Sequence, residues 1–409
     1  MLGGAVVVGA FAFLAGLASL LTLFDLSESP RRKLFDINVG LGTAIVTLSL
    51  GGVLVYQAAS SLGHVGSTAM RVPRWKFLAP AAIAVFPLFV VIGQLEVNNP
   101  ERLPWLFPVT NVFIVSVPSL VIALVVSQRY AAFNRWAWPV SWREWSSGVI
   151  YGAIGATTVA GIINTLYLVL MAILLVSQLG NGDTGNLAEG LPSLPRGWGV
   201  FFDVSVLSVV APLNEEFWKG MLVAFFFFRR GGAARCFVWG VLAGTGFNIL
   251  ETFENSLSIV NPSEITQQQL SADWWKFAGA RAGTGAVHAA ATGMSALGFY
   301  GLFRRQGKYL LGYPAGVAIH GAWNFLNFTL AGDAFLSQAG PDSQLLDILS
   351  ILGLFALFFA CIALLWEMPR RLRDGRPAAI YLVLGMVPRD GPADPPAGGG
   401  ERWVPNYPV

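Results

Sequence analysis

The chain is 409 residues long, 55% hydrophobic and only 12% charged, with a formal net charge of +3. Soluble domains carry about a quarter charged residues, so this balance excludes a water-soluble fold and points to an all-α, polytopic bundle of transmembrane helices. The Lys and Arg residues fall in short clusters, which suits membrane topology and excludes nucleic acid as a partner.

A span needs about 20 mostly apolar residues. Ten segments qualify, at about 4–24, 38–60, 77–97, 107–128, 148–177, 199–228, 237–259, 277–302, 312–330 and 344–366. The first begins without a basic n-region and is too long for a signal peptide, so it reads as a retained span. The fifth and sixth are long enough to tilt or kink. Pro212 gives the sixth a reason to kink, because it removes a backbone donor and crowds the preceding turn. From the sixth span onward, basic segments (229–235, 304–308, 370–376) alternate with acidic or weakly charged ones (260–276, 331–343), and 179–197 precedes the series in the second class. The positive-inside rule places the basic segments and the C-terminus in the cytoplasm, and counting back through ten spans places the N-terminus there too. "RRK" at 31–33 runs against this scheme, which puts it outside. The chain divides into a four-span N-terminal region (1–147), a helical core (148–330), a last span (331–368) and a cytoplasmic tail (369–409). The Pro/Gly-rich "PADPPAGGG" marks that tail as disordered.

The sixth to ninth spans hold polar residues that the others lack. "APLNEEFWKG" places Glu215, Glu216 and Lys219 in apolar surroundings. The seventh carries Asn248, Glu251, Glu254 and Asn255, the eighth Arg281, His288 and Thr292, and the ninth His320, Asn324 and Asn327. At about 1.5 Å per residue, Glu215, Glu251 and His288 all lie about 21 Å from the cytoplasmic ends of their spans, and His320 about 12 Å. His320, Asn324 and Asn327 share one helix stripe, as do His288, Thr292 and Ser295. A charge facing lipid is costly, so these stripes are expected to face a shared wet cavity. "GVLAGTG" and "AGARAGTGAVHAAATG" supply the small residues that let such helices approach.

Plainer readings stand beside this one. Glu215 and Lys219, at i and i+4, can simply neutralise each other, and so can Glu254 and Arg281. Buried carboxylates and histidines also serve proton-coupled transport. Imidazoles, carboxylates and amides at one depth favour catalysis, because together they are a base, metal ligands and oxyanion donors. His64 reads as a solvated loop residue. Trp138, Trp142 and Trp145 read as an interface belt, Asp203 as a residue near the outer interface, and Cys236 and Cys361 as packing residues.

The set Glu215-Glu216-x-x-Lys219, Phe247-x-x-x-Glu251, His288-x-x-x-Thr292 and His320-x-x-x-Asn324 resembles the PrsW-type intramembrane proteases, distant relatives of the CAAX prenyl endopeptidases and of bacteriocin-immunity membrane proteins. The resemblance covers about 205–330. One departure is Thr252, which follows Glu251 where the family carries Asn, with Glu254-Asn255 as the rival pairing. The resemblance implies hydrolysis of peptide bonds in membrane-protein substrates, such as single-span anti-sigma-like proteins, by an enzyme of the cytoplasmic membrane. On this reading Glu215 activates water, Glu216 or Glu251 assists, and Lys219 balances charge. His288 and His320 then either bind zinc with Glu251 or act without metal, with His320 and Asn324 donating to the oxyanion. No H-E-x-x-H helix is present. A CAAX-type endopeptidase is a further alternative, but Phe247-x-x-x-Glu251 stands where that branch has His.

Overall fold

The computed structural model describes residues 2–24, 29–63, 74–133, 140–179, 196–227, 232–263, 266–331 and 342–373, with a few single positions between them. His64, Trp138 and the tail beyond 373 lie outside the described residues. Among the described residues ten apolar rods follow one another: α1 (2–24), α2 (30–62), α3 (Trp75–Asn98), α4 (Phe107–Phe133), α5 (142–179), α6 (196–227), α7 (Ala233–Val260), α8 (Gln267–Arg304), α9 (Gly312–Ala331) and α10 (Asp342–Arg373). The described residues of each expected span lie on one rod, and the last rod continues past the expected boundary at 368. Among the described residues, seven rods are long and apolar enough to cross a bilayer. The apolar part of α1, Gly9–Phe24, is shorter, while α8 and α9 are diluted by His, Thr, Ser and Asn.

Burial orders the bundle. The apolar window of α7 is 78% buried, against 17% in α10, so α7 is the axis and α10 a lipid-facing wall. α7 packs along α8 through small residues. A Cβ on Gly244 would strike the His288 carbonyl, and only glycine permits that backbone approach. The glycine- and alanine-rich stretches thus do what their composition suggested. Cys236 and Cys361 are free, buried packing residues. The N-terminal extension of α8 reaches α3 and α4, where Trp274 donates to the Val90 carbonyl at 3.2 Å and stands against Phe107.

Three rods contain π turns, at Asn38–Gly42, Tyr151–Ala156 and Val204–Val210. The last lies directly before Pro212, which has no N–H to give the Ser208 carbonyl. The disturbance expected at this proline therefore takes the form of a π turn. Asn324 Nδ2 donates to the Leu207 carbonyl inside that turn at 2.9 Å.

Candidate active site

Helices α6, α7, α8 and α9 bring their polar residues to one place. Glu216, Lys219, Thr292 and Ser295 are fully buried, and His288 and His320 are 1% exposed. Glu216 lies at the centre. Its Oε1 meets Lys219 Nζ at 2.6 Å and His320 Nδ1 at 3.1 Å. Its Oε2 accepts from Thr292 at 2.9 Å and Ser295 at 3.2 Å. Three of the four contacts, from His320, Thr292 and Ser295, come from residues that their spacing puts on inward stripes. Both oxygens are thereby saturated, so Glu216 is fixed in place with little capacity left to take a proton.

Glu215 differs. Its Oε1 accepts from Asn164 of α5 at 3.1 Å, and its Oε2 lies 3.5 Å from Lys219 Nζ and 3.7 Å from His320 Nε2. Those longer contacts leave it lone pairs. The pairing of Glu215 with Lys219 is real, but Glu216 holds the lysine more closely. Lys219 Nζ also reaches His288 Nδ1 at 3.2 Å and lies 4.0 Å from the Phe247 ring centre, so it touches both glutamates and an imidazole.

His288 and His320 meet edge to face with ring centres 4.5 Å apart. Glu251 Oε2 is 3.0 Å from His288 Nε2, yet this buried oxygen has no aligned hydrogen-bond partner. Glu251 Oε1 is 3.8 Å from Arg281. Arg281 therefore neighbours Glu251 rather than Glu254, and of the two rival registers on α7 it is Glu251 that touches His288.

A metal fits these donors. One ligand atom each from Glu215, His288 and His320 lie within 4.8 Å of one another, all in buried residues. One carboxylate and two imidazoles are a catalytic zinc set. The Glu216 carboxylate behind His320 Nδ1 orients the other ring nitrogen toward Glu215, as ligating histidines require. Glu251, expected as the third ligand, stands instead against His288 with its orphaned oxygen. Three carboxylates (Glu215, Glu216, Glu251) face two cations (Lys219, Arg281), which leaves a net charge of −1 with neutral imidazoles.

Some expectations moved. Asn324 spends its amide on the π turn of α6, and Asn248 donates to Ser119 of α4 at 2.7 Å. His320, expected nearer the cytoplasmic end, stands level with Glu215, Glu216 and His288, which it meets directly. Two contributors had gone unnoticed. Asn164 binds Glu215, and Asn214 supports it, donating to Asn164 Oδ1 at 2.8 Å and to the Ala160 carbonyl at 2.9 Å. The signal was a lone amide in "GIINTLYLVL". A search for ionisable groups passes over it.

Comparison with known proteins agrees with this geometry. The family described as PrsW family intramembrane metalloprotease matches residues 141–362, more than half of the chain, running from the start of α5 into α10 and beyond the 205–330 stretch that carries the motifs. No curated protein and no solved structure matches the chain. With apolar membrane-crossing rods, a buried Glu/His cluster that fits a metal, and this match, the chain belongs to the PrsW family of intramembrane metalloproteases.

Proposed function

We propose that this protein hydrolyses peptide bonds of membrane-protein substrates, single-span anti-sigma-like proteins among them, in the cytoplasmic membrane, with its termini in the cytoplasm. The convergence of Glu215, His288 and His320 from three helices carries the reading. These residues would hold a divalent ion, zinc by the character of the donors, and the chemistry it supplies when bound is an acidified water and a polarised scissile carbonyl. Glu251 Oε2, buried and without a hydrogen bond, is the base that takes a proton from water and returns it to the leaving amine. Lys219 offsets the adjacent carboxylates. Glu216 anchors Lys219, His320, Thr292 and Ser295 so that little must reorganise during reaction. Asn324 supports α6 at the turn that delivers Glu215.

A second, metal-free reading has one observation in its favour. Lys219 already places a cation 3.5 Å from Glu215 and 3.2 Å from His288. Glu215 would then be the base itself, with His320 donating to the oxyanion.

The test is cleavage of a single-span reporter by the purified protein in lipid vesicles. Wild type should cut it, and folded Glu215→Ala should not. Cleavage that survives Glu215→Ala removes both mechanisms. Activity that resists a strong chelator selects the metal-free one.

A further inference from the structure

Helices α5 and α7 cross closely at one place. A Cβ on Gly152 would strike the Ala243 carbonyl, and one on Gly246 the Val149 carbonyl. Beyond the π turn, from 157 onward, α5 leaves α7. Between them lies a cavity of about 450 Å³ lined by Thr158, Gly161, Thr165, Leu250 and Glu254 among others. The same two helices also serve the active site: α5 carries Asn164, which binds Glu215, and α7 carries Glu251 one turn before Glu254.

The lining mixes apolar side chains, Ile162, Leu166 and Leu250, with the polar Thr158, Thr165 and Glu254. Thr158, Thr165 and Glu254 are exposed, and among the described residues none of the three has a hydrogen bond or ion pair. Arg281, the cation nearest in kind, is turned toward Glu251. A carboxylate left open to hydrocarbon is costly, and extended backbone inside a membrane is tolerated only where protein groups or water satisfy it. Unpartnered hydroxyls beside an uncompensated acid match one occupant, an unwound peptide segment bearing a cationic side chain.

Resting on the protease reading, we propose that this cleft is where the substrate segment docks, and that Glu254 selects Lys or Arg beside the scissile bond. Glu254 lies about 4.5 Å beyond Glu251 along α7. An extended chain advances about 3.3 Å per residue, so the selected side chain sits one or two residues from the cleaved bond.

The experiment uses the full chain in lipid nanodiscs and synthetic single-span peptides carrying Lys, Glu or Leu one or two residues from the central bond. Wild type is expected to cut the Lys peptide about tenfold faster than the Glu peptide, the scale of a charge mismatch in a contact. Glu254→Lys should reverse that order. A second readout needs no cleavage. In the Glu215→Ala background, Thr165→Cys should form a disulfide with a cysteine-bearing peptide well above Leu352→Cys, a position on α10 that is 59% exposed. Cleavage with a Lys-to-Glu ratio that Glu254→Lys leaves unchanged overturns the selectivity while upholding the protease. Equal cross-linking at 165 and 352 overturns the cleft. Cross-linking at 165 with no peptide ever cut counts against the protease reading and for the docking site.

Discussion

Glu216→Gln is the substitution whose consequence follows most directly from the geometry. The side chain keeps its shape but loses its charge, and Lys219 loses its nearest partner. At 2.6 Å and an effective dielectric of about 20, the attraction is about 6 kcal/mol. Much of that is cancelled by burying both charges. What the substitution removes is the compensation, and breaking a buried pair from one side costs about 3–5 kcal/mol. Lys219→Met should cost a similar amount, since it leaves Glu215 and Glu216 adjacent without their lysine. The double variant removes both members of the closer pair, leaving only Glu215 without its lysine, and should recover about 2–3 kcal/mol relative to the sum of the singles. Reversible unfolding in mixed micelles, followed by tryptophan fluorescence, measures the cycle. Additive losses would refute the reasoning, because they would mean that Glu216 and Lys219 do not depend on each other for their burial.

Three other outcomes follow from the contacts around this pair. Asn164→Leu removes the hydrogen bond to Glu215 Oε1 and should lower cleavage about 10–100-fold with the fold intact, the usual penalty for losing an orienting partner; steady-state kinetics on the reporter measure it. Thr292→Val takes one donor from Glu216 Oε2 and should cost about 1.5–3 kcal/mol, as hydrogen bonds to charged groups do, in the same unfolding assay. Gly244→Ala puts a methyl group into the His288 carbonyl. It should cost about 1–3 kcal/mol and lower activity more than stability, because His288 moves with its backbone.

Much of the architecture was legible because the bilayer simplifies the problem. A rod must be apolar for about 20 residues, so the ten rods and the polar stripes on α6 to α9 could be read from hydropathy and helical period. The glycine and alanine runs announced close packing of α7 on α8. The partners within the site were less legible. Glu215 and Glu216 are neighbours in sequence with similar surroundings, yet the turn of one helix gives Glu216 a saturated cage and leaves Glu215 its lone pairs. Hydropathy does not carry that difference of about 100° around the axis. Asn324 shares a stripe with His320, but the π turn opposite it exposes a carbonyl that takes its amide. Asn164 sits on a helix with no ionisable partner in sequence, so only the crossing of α5 over α6 reveals its role. Seven of the rods pass as spans on their own composition. α8 and α9 do not, because the residues that make the site also lower their hydropathy.

The central claim is that α6, α8 and α9 each contribute one ligand to a single ion. It is tested most directly by the metal content of the protein purified in lipid, for wild type and for Glu215→Ala, His288→Ala and His320→Ala, each with its fold verified. The expected result is about one divalent ion per chain in wild type and loss from all three variants, as a three-ligand site requires. A metal-free wild type, or an ion retained when any one of the three is removed, would contradict it.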